Sequence, residues 1–160
     1  MIYKNITALA FKLDEYNWAY DFIQRYTSYL PEDYRDSYFN FNMARYYFIK
    51  KDFGKVIELL SHVEYNDFFI QLSAKALLLK TYFEMEEFSA FDSLAHSFRT
   101  LLKNKKGLGY HRTNYLHFIK YGEKLFSRKS ISRKELNELR NEVKLTPEVF
   151  DREWLLEKLG

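Results

Sequence analysis

A chain of 160 residues with 47% hydrophobic and 19% aromatic side chains can bury a substantial core and is too rich in rings to be disordered. Two prolines and five glycines are too few turn-formers for an all-β domain, and the lack of cysteine excludes disulfides and zinc–thiolate sites. The net charge of +3 is unevenly spread: residues 99–134 carry +10, the stretches before and after them −4 and −3.

Apolar residues at Ile6, Leu9, Ala10 and Leu13 predict a one-faced first helix over 3–13. Residues 14–17 turn the chain. A second helix follows with Ala19, Phe22, Ile23 and Tyr26 inward, ending at Leu30 because Pro31 disfavours helix in the residue before it. A third starts near Pro31, where Glu32 and Asp33 suit a helix amino end, and runs to about Ile49. After a turn at 50–52, a fourth helix over 53–64 carries Val56, Leu59, Leu60 and Val63 until Asn66-Asp67 breaks it and caps the next.

Two densely apolar helices are expected between 68 and 102. One carries Leu72, Leu78, Leu79 and Tyr82, the other Phe88, Phe91, Leu94, Ala95 and Phe98. Residues 104–109 are the clearest loop, with Gly107-Leu108-Gly109 a flexible link. Beyond it a helix over 110–126 shows Tyr115, Phe118, Ile119 and Gly122 on one face. Ser132 and Glu135 have capping-box spacing and start another with Leu136, Leu139 and Val143. Thr146-Pro147-Glu148 combines an N-cap with proline at the first helical position, which announces a last helix carrying Phe150, Trp154 and Leu155.

One pattern recurs in these elements: Ala10, Tyr16, Ala19; then Tyr47, Phe53, Val56; then Tyr82, Phe88, Phe91. A period in the mid-thirties is that of stacked two-helix repeats, whose units cannot bury their apolar faces alone. The units fall at about 1–30, 31–66 and 67–104, followed by an irregular stretch at 108–145 and a capping helix at 147–159. The chain is thus expected to be all-α, a single helical-repeat domain. If the central rings are buried, Phe53→Ala or Phe88→Ala costs roughly 3–5 kcal/mol.

The residues Leu13-Asp14-Glu15-Tyr16, Ala19, Ile23 and Pro31, and then Met43-Ala44, Tyr47, Phe53, Val56 and Leu60, resemble the tetratricopeptide-repeat family. The resemblance covers about 3–102, and loosely 110–145. Leu79 and Phe91 are bulky where the family has small residues, and Asn40 and Lys75 stand where it has an early tryptophan. It implies a right-handed stack of antiparallel helix pairs whose first helices line a concave, peptide-binding face. Carried over by position, that face holds Lys4 and Ala8, then Tyr38, Phe41, Arg45 and Phe48, then Ala76, Lys80 and Phe83. A basic line of Lys4, Arg45 and Lys80 between rings suits an acidic peptide segment of a partner protein. The family's usual asparagine and lysine clamp for acidic carboxyl termini is not reproduced.

The basic block offers a second surface. Lys105, Lys106, Lys120, Lys124, Arg128 and Lys129 could neutralise phosphates while Tyr110, Tyr115 and Tyr121 stack on unpaired bases. The simpler readings are a solvated face, or docking on the acidic carboxyl-terminal block. Catalysis has little support. Asp92 and His96 share a helical face but lack a third group, the four histidines include no i, i+4 pair, and the Glu84, Glu86, Glu87 turn reads as solvated. An enzyme, a metal and a cofactor are therefore not expected. No apolar run reaches the ~20 residues of a membrane span, and the start lacks a secretory layout, so the expected location is cytoplasmic. The apolar start, Met1-Ile2-Tyr3, suggests a chain cut from a longer protein or an amino end that meets a partner.

Overall fold

The computed structural model describes residues 2–61 and 63–160; what the sequence suggests for Met1 and His62 lies outside them. Among the described residues there are nine α-helices, one short 3-10 helix (Thr27–Tyr29) and no strand. The α-helices are α1 (Ile2–Lys12), α2 (Tyr16–Tyr26), α3 (Glu32–Ile49), α4 (Phe53–Leu60), α5 (Phe68–Glu84), α6 (Phe88–Asn104), α7 (Tyr110–Leu125), α8 (Arg133–Leu145) and α9 (Arg152–Leu159). None is long and apolar enough to cross a membrane. Contacts divide the chain into two compact units, Met1–Thr81 and Tyr82–Gly160, with the division inside α5.

Three of the turns between helices are built alike. In the first, the Asp14 N–H donates to the Phe11 carbonyl and the Glu15 N–H to the Ala10 carbonyl. Lys51 and Asp52 repeat this on Phe48 and Tyr47, and Glu86 and Glu87 on Phe83 and Tyr82. This is the Schellman arrangement, in which a left-handed residue satisfies the last free carbonyls of a helix. Asp14, Lys51 and Glu86 all adopt it, with φ of 60°, 60° and 57°. The turns lie 37 and then 35 residues apart, the spacing read from the aromatics.

In the first unit α1 packs on α2, α2 on α3 and α3 on α4. Ala10, Phe11, Ala19, Ile23 and Met43 form one buried cluster; Ala44, Val56, Leu60, Ala74 and Leu77 form the next. A third, of Tyr3, Leu30, Tyr38 and Ile70, joins α1, α3 and α5. Asp67 starts α5 as expected: one carboxylate oxygen accepts from the Phe69 and Ile70 N–H groups, the other from the Tyr38 hydroxyl at 2.8 Å.

In the second unit α6 packs on α7, and α9 on both α7 and α8. Phe91, Phe98, Phe118, Ile119, Leu125 and Leu155 are its buried centre. Phe91 fits because Gly122 faces it: a Cβ at Gly122 would lie 3.0 Å from the Phe91 ring. The space for the Phe91 ring is thus provided by a glycine of the neighbouring helix, α7. Arg99 on α6 holds Glu123 on α7 through two bonds of 2.5 Å, a bidentate pair.

Several sequence expectations are corrected. The first helix buries Tyr3, Thr7, Ala10 and Phe11 and leaves Leu9 and Leu13 exposed, so its inner face is rotated from the predicted one. It is apolar on two faces, and the two large rings took the core. Tyr26 and Phe88 are exposed rather than inward, at 46% and 55%. Helix α4 stops at Leu60, short of residue 64. The Gly107-Leu108-Gly109 link is anchored, since Leu108 is buried and both glycines take positive φ.

The last helix starts at Arg152, not at Thr146-Pro147. Thr146 instead ends α8, where its hydroxyl donates to the Glu142 carbonyl and meets the Tyr121 hydroxyl at 2.7 Å. Glu148 and Asp151 then take positive φ, and the Phe150 N–H is held by the Asn114 carbonyl. By contrast the Ser132–Glu135 capping box forms in full.

Candidate functional site

The predicted groove residues of the first unit fall into two groups. Phe41, Arg45 and Phe48 stand at i, i+4 and i+7 on α3 and so share a face. All three are half-buried. The Arg45 guanidinium lies 4.5 Å from the centre of the Phe11 ring of α1 and 5.7 Å from that of Phe41. From α5, the Lys80 ammonium lies 4.9 Å from the Phe48 ring. Cation–π contacts therefore link α1 to α3 through Arg45 and α3 to α5 through Lys80. Lys4, also half-buried, stands on the Phe11 side of α1, with Ala8 exposed between them.

Tyr38 and Phe83 lie in the core instead. Tyr38 is 2% exposed, and its hydroxyl is held well above the ordinary range by burial and by the Asp67 carboxylate. Phe83, in the second unit, meets Phe126 and Trp154 edge-on at 5.1 and 5.3 Å, with the Arg128 guanidinium 4.7 Å from its ring centre. Ala76 is buried too. These side chains have no surface to offer a groove.

Phe11 is the residue that sequence reasoning missed, because it falls outside the apolar stripe from which the first helix was read. The signal in the sequence is slight: Lys4, Ala8 and Phe11 share a face, and a ring on such a face can receive a cation from another helix.

The basic block is divided among different tasks. Lys120 and Lys124 of α7 each reach a Glu142 oxygen of α8 at 3.3 Å. The Tyr121 hydroxyl adds a bond to the same carboxylate, and both lysines stand over the Tyr121 ring. Partial burial pushes the Glu142 carboxyl up, but the two lysines and Tyr121 outweigh it and hold it below its ordinary range. Arg112 donates to the Leu102 and Lys105 carbonyls, closing the end of α6. Arg128 donates to the Leu125 carbonyl, and Lys129 reaches Glu86 at 3.5 Å. Lys105 and Lys106 are exposed in the loop. Of the acidic turn, Glu84 pairs with Lys158 and Glu86 with Lys129. Asp92 and His96 are both exposed on α6. Among the described residues no three histidines or carboxylates are grouped to hold a metal ion.

Comparison with protein-family models, with curated proteins and with solved structures gives no match to this chain.

Proposed function

We propose that this chain is a tetratricopeptide-like stack of antiparallel helix pairs, closed by α9, that serves as a non-catalytic scaffold for a segment of another protein. The spacing of the three Schellman turns, 37 and then 35 residues, supports the repeat reading; the bonding pattern alone is common at helix ends. The observation that carries the function is the line of Arg45 and Lys80 over Phe11, Phe41 and Phe48. Cations fixed over rings are preorganised, so an acidic peptide can pair with them without ordering long side chains on binding. Its apolar side chains would rest between the rings, and Lys4 extends the positive line.

The test is a tagged pull-down from native lysate at low and moderate salt, with and without nuclease, followed by peptide mapping of what is retained. A discrete protein, retained through both treatments and lost with Arg45→Glu plus Lys80→Glu, is the expected result. Circular dichroism of that double variant must match the parent, and Arg45→Gln plus Lys80→Gln should weaken binding without reversing charge. Recovery of RNA or DNA that collapses with nuclease would transfer the function to the basic block over 99–134, where Lys105 and Lys106 are exposed, and overturn the scaffold reading.

A further inference from the structure

The outer side of the first helix pair is apolar and open. Ile6, Leu9, Ala10, Leu13, Glu15 and Trp18 line a cleft of about 390 Å³ there. Leu9, Leu13 and Trp18 are 56%, 63% and 50% exposed, and Ile2 at the end of the same stripe 78%. A helix apolar on two faces is ordinarily covered on both. The molecule itself carries the pattern of what covers such a face.

The Schellman turns fix a register of 37 residues between the first and second helix pairs: Asp14 corresponds to Lys51 and Glu15 to Asp52. In that register Ile2, Ile6, Leu9 and Ala10 correspond to Phe39, Met43, Tyr46 and Tyr47. Those four residues of α3 are the ones that pack on the cluster built from α1 and α2. Tyr20 of α2 meets Tyr46 with ring centres 5.0 Å apart, and the Gln24 amide of α2 reaches the Met43 sulfur at 3.8 Å. The open face of α1 is thus the positional counterpart of the face on which α3 receives α2. One difference shapes the cleft: Ala10 stands where α3 has Tyr47, so a ring-sized space is left, walled by Trp18 where α4 has Lys55.

We propose that this cleft receives a partner helix of the α2 kind. Such a helix presents what α2 presents to α3: a ring, as at Tyr20, then a branched apolar residue three positions on, as at Ile23, and an amide four on, as at Gln24, with the ring entering the space beside Leu9 and Ala10. An anchor ring in a preformed apolar pocket is the usual centre of binding energy in such an interface. The surface differs from the Arg45–Lys80 line, and its success or failure is independent of that line.

The probe is a fluorescein-labelled, helix-stapled peptide of residues 14–30, titrated against the full chain and followed by anisotropy. Saturable binding on the order of micromolar is expected, weakened more than about tenfold by Leu9→Asp with Leu13→Asp in the protein, or by Tyr20→Asp with Ile23→Asp in the peptide. Both protein positions are exposed, so helicity and melting should stay near parental values; Lys144→Glu, at an exposed position of α8, should leave peptide affinity unchanged. Absence of binding at about 100 µM peptide overturns the proposal. So does binding that survives the two aspartates, which would mean exchange with the chain's own α2. Concentration-dependent self-association removed by Leu9→Asp would assign the face to a second copy, and likewise overturns it.

Discussion

Gly122 shows how one missing methyl group decides a packing arrangement. With a Cβ only 3.0 Å from a buried Phe91 ring, Gly122→Ala gains about 1 kcal/mol of helix propensity but overpacks by about 1–3 kcal/mol. A net loss of up to about 2 kcal/mol is expected in chemical denaturation, recovered when Phe91→Leu is added. Recovery identifies the ring, and not helix geometry, as the constraint. The same scale separates two rings that the sequence made equivalent. Phe88 is 55% exposed and touches Phe126 at 5.2 Å, so Phe88→Ala should cost about 1 kcal/mol or less. Phe53, half-buried against Phe48 at 5.5 Å, should cost more. Tyr65 gives the opposite sign. Its hydroxyl is buried without a partner and, by desolvation alone, pushed up to about 12. Tyr65→Phe should therefore leave stability unchanged or raise it by about 1 kcal/mol.

Among the elements, the three helix–helix turns share a cost. Asp14, Lys51 and Glu86 occupy the left-handed position that glycine fills without strain. Glycine at each should add about 0.5–1 kcal/mol, measured as a shift in denaturation midpoint at constant slope. Turn chemistry is also where sequence reading misplaced the start of the last helix, which begins at Arg152. Thr146-Pro147 has the letters of a helix start, yet Thr146 was drawn into ending α8 by its bonds to Glu142 and Tyr121. The α7–α8 contact carries a pH dependence with a definite sign. Because the Glu142 carboxyl sits below its ordinary range, the stability it contributes is present above the unfolded value and lost as pH falls through the lower native one. Denaturation midpoints should fall below about pH 4, and Glu142→Gln should flatten that fall; solvent around this half-exposed pair keeps the effect small.

At the scale of the whole molecule, the two readings of function make separable demands. Reversing Arg45 and Lys80 tests the ring-and-cation line within the first unit, while aspartates at Leu9 and Leu13 test the outer cleft. A chain that lost both bindings with either pair would point to loss of folding, which circular dichroism would register.

By itself the sequence determined what depends on neighbours along the chain. Helical class, turns spaced by 37 and 35 residues, the capping box at Ser132 and the Asp67 cap follow from spacing and local hydrogen bonding, and all are present. Tertiary structure decided which of two apolar faces turns inward. On α1 the stripes Ile6-Leu9-Leu13 and Tyr3-Thr7-Phe11 compete, and the outcome rests on what α2 and α3 present to them. The candidate site divided along the same line. Its cations were legible as residues at helical spacing, but Phe11 beneath Arg45, the burial of Tyr38 and Phe83, and the capture of Lys120 and Lys124 by Glu142 depend on contacts between helices distant in sequence. Periodicity records that a face is apolar; only packing records what covers it.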